Sequence, residues 1–111
     1  MLDNYITGEV DRISPEAPIP IMKIENYSYN LGGAGNVAAN IRGFGAVCHL
    51  VSVIGDDEPG RSLSQILGAH GVNRHLHIDT ASRATEKLRI ISRNQQLLRA
   101  DFEGTPRKEV I

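Results

Sequence analysis

From Val47 to Ile54 the chain reads Val-Cys-His-Leu-Val-Ser-Val-Ile, a nearly all-apolar run of strand length bounded by glycines at 43, 45 and 55. A strand with one wet face alternates apolar and polar side chains; a strand covered on both faces does not. The run therefore predicts a buried strand of a parallel sheet, and parallel strands need helical crossovers. Both flanks supply one. Upstream, Ala34, Val37, Ala38 and Ile41 fall at i, i+3, i+4 and i+7, the apolar stripe of a helix that Gly43 and Gly45 stop. Downstream, Asp56 or Asp57 caps a helix with Pro59 in its first turn. Its apolar positions are Leu63, Ile66 and Leu67, and Gly68 and Gly71 end it. A short strand near residues 75–78 completes an α/β alternation.

The two ends are rich in strands. Residues 5–12 and 19–25 carry β-branched residues in loose alternation around Pro15 and Pro18, which reads as two short strands with one wet face. Pro20 has no amide hydrogen, so the second strand begins there or lies at an edge. Residues 86–92 and 96–102 form two longer strands joined through Arg93-Asn94-Gln95 as a hairpin or bent ribbon. The tail from Gly104 reads as a loop. The chain opens at Met1-Leu2-Asp3 with no strand before it and ends at Val110-Ile111 as a new apolar element starts. It reads as a segment cut on both sides.

With 111 residues and 41% hydrophobic content, the chain supports one modest core, hence one domain or part of one. Twelve basic against thirteen acidic residues leave a net charge of −1, so bulk attraction to nucleic acid or anionic membranes is not the expected mode of action. A small molecule or a protein is the expected partner. Cys48 is the only cysteine, which rules out an internal disulfide and fits a reducing compartment, with the thiol buried and inert. No apolar stretch reaches the roughly 20 residues of a membrane helix, and Met1-Leu2-Asp3-Asn4-Tyr5 lacks the features of a signal peptide. The expected location is the cytoplasm.

Gly32-Gly33-Ala34-Gly35 opens the first predicted helix. Small residues at a helix mouth let a ligand approach the backbone, and the N-terminal amides favour oxygen-rich or anionic groups. The plainer reading is a tight turn with close helix-to-sheet packing. Gly33-Ala34-Gly35-Asn36-Val37-Ala38 also satisfies the G-x-G-x-x-A pattern of dinucleotide-binding oxidoreductases. That pattern needs a buried strand running into the first glycine, whereas Glu25-Asn26-Tyr27-Ser28-Tyr29-Asn30 is polar. Lys87 and Arg89, two apart on a predicted strand, project from one face, with Leu88 and Ile90 on the other. Such a pair suits a phosphate, Arg as a planar fork and Lys as a point charge, although a solvated strand face carries the same residues. Arg93, Asn94 and Gln95 offer donors suited to sugar oxygens, or make an ordinary polar turn. Asp56-Asp57-Glu58 reads as capping and dipole partners rather than a metal site. His49, His70, His75 and His77 lack ligand spacing on a helix, and three tyrosines are too few for a stacking platform.

Gly32-Gly33-Ala34-Gly35-Asn36-Val37-Ala38 with Gly45 and Gly55 at their spacings resembles the first signature of the ribokinase-like (PfkB) carbohydrate kinases. Arg12-Ile13-Ser14-Pro15-Glu16-Ala17-Pro18-Ile19-Pro20 and the stretch from Lys87 to Glu103 are similar to segments of that family's heptose-7-phosphate kinases. The resemblance implies a partial ribokinase-like fold: an α/β core over about residues 32–80 and a small lid of strands over about 5–29 and 85–102. It implies that Gly32, Gly33 and Asn36 line the sugar pocket and that Asp3 and Asn4 reach its mouth, where a carboxylate accepts hydroxyls. It also implies phosphorylation of the anomeric hydroxyl of a heptose 7-phosphate by ATP with Mg2+, on the route to ADP-heptose for lipopolysaccharide core. A homodimer formed through the lid strands is implied as well. The family's late Gly-Ala-Gly-Asp segment, source of its catalytic base and anion hole, has no counterpart here. Another sugar or nucleoside kinase of the family, an oxidoreductase fragment and a non-catalytic dimerisation module remain as alternatives.

Overall fold

Eight elements follow one another in a computed structural model that describes residues 1–105: β1 (Leu2–Ile13), β2 (Pro20–Leu31), α1 (Ala34–Gly43), β3 (His49–Gly55), α2 (Glu58–Ala69), β4 (Asn73–Asp79), β5 (Glu86–Ser92) and β6 (Gln95–Phe102). The apolar element expected at Val110-Ile111 lies outside the described residues. The strands form two sheets. One has four strands in the order β2-β1-β5-β6; the other pairs β3 with β4 in parallel. In the larger sheet only β1 and β5 run parallel, in register from Leu2↔Glu86 to Gly8↔Ser92.

β1 and β2 are longer than their apolar alternation suggested. Each has 12 residues, about 40 Å at 3.3 Å per residue, which accounts for most of the molecule's 51 Å long axis. The polar stretch Glu25–Asn30 is tolerated because β2 is antiparallel and at the sheet edge, with most of its side chains in water. Pro20 is both the first residue of this strand and a member of the edge. The β5–β6 hairpin turns on two residues, Arg93 and Asn94, with φ of 49° and 65°. Positive φ at both central positions is the type I′ geometry whose twist matches a two-stranded ribbon.

The core gathers Leu2 and Leu31 from the larger sheet, Ala38 from α1, Ile54 from β3, Leu63 and Leu67 from α2, and Val72. Leu67 is fully buried, a contribution of roughly 1.5–3 kcal/mol. Cys48 is half-buried and packs against this cluster. Two expectations need correction. The buried side of α1 is Gly35 and Ala38, while Val37 and Ile41 stay 57% and 39% exposed. At Gly35 the helix backbone itself faces Leu31 and Leu67, where an added Cβ would stand at the ordinary packing distances of 3.4 and 3.7 Å. β3 is not covered on both faces: Leu50 packs on the core, but Val51 on the opposite side is 78% exposed. Both helices pack on the core side, and among the described residues the opposite side is covered only toward its Gly55 end, where the backbone of Ser82–Ala84 crosses close over the strand.

α2 starts where the sequence placed its cap. The Asp57 carboxylate accepts from Gly60 N at 2.9 Å through Oδ1, and from Ala84 N at 3.0 Å through Oδ2. One side chain thus caps the helix and anchors the loop leading into β5. Asp57→Ala is expected to lower stability by about 2 kcal/mol, about half for the cap and the rest for the stranded Ala84 amide, read as a shift in the urea midpoint. On β2, burial raises the Tyr29 phenol above its usual pKa, and the Glu58 and Glu86 carboxylates add to this. Folding thus favours the protonated phenol: its contribution is complete below the unfolded value of about 10 and is lost as pH rises through the folded one. Tyrosinate absorbance on alkaline titration is expected to show a late-ionising phenol that Tyr29→Phe removes.

Candidate functional site

The pairing of β1 with β5 builds a polar face from residues remote in sequence. Asn30, Asp3, Lys87 and Asp101 form one row across the four strands, and Ser28, Tyr5, Arg89 and Arg99 the next. Asp3 Oδ1 lies 2.8 Å from Arg89 Nη1, with the two side chains only 14% and 19% exposed. The Arg89 guanidinium also lies 5.3 Å from the centre of the Tyr5 ring, within cation–π range. The Asp3 carboxylate holds the Arg89 pKa above its ordinary value. Arg99 and Asp101 pair with each other at 3.0 Å. Lys87 makes no ion pair or side-chain hydrogen bond among the described residues.

The glycine run meets this face at its Asp3 end. Gly32 N donates to Met1 O at 3.0 Å. A Cβ on Gly32 would stand 2.9 Å from Asp3 Oδ2 and would also run into Met1 Cε. The missing side chain is what lets the carboxylate lie against the backbone. Gly33, at φ 54° and ψ −131°, is the N-cap of α1 and turns the chain from β2 into the helix; that φ favours glycine. Asn36, one turn in, is exposed and lines a cavity of about 760 Å³ with Asn30 and Asn40.

The structure therefore brings Asp3, Gly32 and Arg89 together, with Lys87 in the same strand row as Asp3 and Gly33 next in the chain; the cavity that Asn36 lines contains none of these five residues and opens instead between β2, α1 and α2. The strand pleat sends Asn4 to the opposite face. There it is 7% exposed and donates through Nδ2 to Glu86 Oε1 at 3.2 Å. Of the first pair, only Asp3 reaches the glycine side. Arg93, Asn94 and Gln95 lie at the far end of β5, about 20 Å from Lys87 at 3.3 Å per residue. Arg93 and Asn94 border a separate hollow with Glu9 and Glu25.

Tyr5, Asn30 and Asp101 were not singled out in the sequence, because their place on this face follows from strand register. Of the histidines, His49 on β3 and His75 on β4 meet across the two-stranded sheet, where their rings stack at 5.3 Å with Nδ1 and Nε2 3.0 Å apart. In Asp56-Asp57-Glu58, Asp57 is the cap described above and Asp56 pairs with Arg61 at 3.5 Å. Among the described residues no three His, Cys, Asp or Glu side chains gather to hold a metal ion. No helix of the described residues is long and apolar enough to cross a membrane.

A family model described as pfkB family carbohydrate kinase matches residues 1–105. The D-beta-D-heptose 7-phosphate kinase of Bordetella bronchiseptica is 47% identical over 106 residues, covering 96% of this chain and 34% of that protein. The bifunctional protein HldE of Stutzerimonas stutzeri is 50% identical over 103 residues, 93% of this chain and 22% of its own length. Among solved structures, phosphofructokinase-2 from Escherichia coli in complex with fructose-6-phosphate superposes with a TM-score of 0.73 at 18% identity, over 97% of this chain and 34% of that one. The chain thus spans about a third or less of the length of these relatives. Because that family model takes in residues 1–105 of the 111, the chain belongs to the pfkB family of carbohydrate kinases.

Proposed function

We propose that this chain is the sugar-binding part of a kinase that transfers phosphate from ATP to the anomeric hydroxyl of D-glycero-β-D-manno-heptose 7-phosphate, in the supply of ADP-heptose for lipopolysaccharide core. The observation that carries the reading is the meeting of a carboxylate, a glycine-lined helix mouth and two cations on one face: Asp3, Gly32-Gly33, Lys87 and Arg89. Backbone amides and a carboxylate suit sugar hydroxyls, and cations two residues apart suit a phosphate already on the sugar. The name of the Bordetella relative, a D-beta-D-heptose 7-phosphate kinase, supports this choice of sugar.

In this reading residues of about 32–80 form the core that presents the glycine run, and the strands over about 5–29 and 85–102 act as the lid. Asn36 joins the sugar contacts from α1, and Asn4 supports the lid base from the buried side. Arg93, Asn94 and Gln95 contribute from the lid tip, which meets substrate only when the lid bends or a second copy presents it. The chain's share of catalysis is positioning, for which oriented reactants are worth roughly 7–11 kcal/mol. Among the described residues no three His, Cys, Asp or Glu side chains gather to hold Mg2+, and in this reading ATP and its metal are held mainly by other parts of the intact enzyme, with no transfer step assigned to the side chains described.

The test is calorimetric titration of the chain with heptose 7-phosphate and with unphosphorylated heptose. The phosphorylated sugar is expected to bind at least about tenfold tighter, the worth of one charge-assisted contact; equal affinity removes the phosphate role of Lys87 and Arg89. The lid also suggests a second copy of the chain as partner. Ile24 and Leu98 are 58% and 57% exposed, and with Ile6, Met22 and Ile90 they border an apolar hollow of about 480 Å³, the kind of patch that marks an interface. Sedimentation velocity is expected to show a dimer that Leu98→Glu converts to monomer; a wild-type monomer across the micromolar range removes the proposal.

A further inference from the structure

Lys87 and Arg89 leave the same face of β5, yet they stand in different electrostatic situations. Arg89 is already committed. Its guanidinium lies 2.8 Å from Asp3 Oδ1 in a contact that leaves both side chains less than one-fifth exposed, and the Tyr5 ring flanks it at 5.3 Å. The second Asp3 oxygen, Oδ2, lies beside Gly32, where a Cβ would stand 2.9 Å away. One oxygen of the carboxylate is tied to a cation and the other is aimed at the glycine run. Lys87 sits between Asp3 and Asp101 in strand register but pairs with neither.

Drawing Arg89 onto a substrate phosphate means breaking a partly buried ion pair and leaving the Asp3 carboxylate without its partner in a desolvated place, which is costly. Recruiting Lys87 breaks nothing. Asp3 also gains from being held: a carboxylate fixed through one oxygen presents the other in a single direction, which spares the ordering cost of binding a hydroxyl. We infer that Arg89 is a positioning residue that locks the Asp3 carboxylate toward the sugar, and that Lys87 alone supplies the cation for the substrate's phosphate. The inference rests on the sugar-kinase reading and divides between two residues a task that their spacing alone assigns to both.

The division is tested on the 111-residue chain with three probes: inorganic phosphate, unphosphorylated heptose and heptose 7-phosphate. Lys87→Met is expected to weaken heptose 7-phosphate by about tenfold and to leave unphosphorylated heptose unchanged. Arg89→Met is expected to weaken both sugars by the same factor and to leave inorganic phosphate unchanged. Arg89→Lys, which keeps a charge near Asp3, restores part of the loss, and Asp3→Asn combined with Arg89→Met is no worse than Asp3→Asn alone. An Arg89→Met variant that loses only the phosphorylated sugar overturns the inference and leaves the kinase reading intact. Wild-type chain that binds none of the three probes overturns both. A measurement on wild type alone does not depend on how the variants fold: the side-chain nitrogen signals of Arg89 are expected to stay slow-rotating and unshifted when the chain is saturated with heptose 7-phosphate. Their displacement by phosphate means that Arg89 moves to the ligand and sinks the assignment.

Discussion

The parallel pairing of β1 with β5 is the constraint on which the rest depends. It places the start of the chain beside a strand that follows two helices and another sheet, and it sets Asp3 in the row of Lys87 and one row from Arg89. Without that register the carboxylate, the cations and the glycine run are unrelated local features. Parallel pairing has no short connection to enforce it, so the register must be held by the elements between. Asp57 does part of this work, since one carboxylate both starts α2 and grips the backbone at Ala84, two residues before β5. Leu2 and Leu31, buried together with Leu63 and Leu67, hold the other side.

The local structure was largely legible. α2 was readable from Asp57, Pro59 and the Leu63/Leu67 spacing because caps and helical periodicity act within a few residues of each other. The hairpin at Arg93-Asn94 was readable from the strands on either side, although neither residue is a glycine whose presence would announce the positive φ that both adopt. Three things were less legible. The lengths of β1 and β2 were underestimated because an edge strand in water need not alternate. The buried face of α1 was misjudged because the residues it buries, Gly35 and Ala38, are small ones that hydrophobic spacing scores poorly. The cover expected on β3 was inferred from composition, and composition does not say which residues supply it.

For the candidate site, residue types were visible and their grouping was not. Lys87 and Arg89 could be placed on one face from their spacing alone. That Asp3 already holds Arg89, that Asn4 turns to Glu86, and that Arg93–Gln95 stand about 20 Å along the strand all follow from pleat and register. The family resemblance carried what spacing did not, since it tied the glycine run to the start of the chain.

The pleat of β1 has an evolutionary corollary. Adding or removing one residue between Leu2 and Thr7, where pairing with both neighbours is unbroken, would exchange the two faces of the strand. Asp3 would be driven inward against Glu86, and Asn4 would take its place in front of a cation. Descendants of this sequence are therefore free to vary the length of the connection at 14–19, but the first six positions of the strand drift only by substitution.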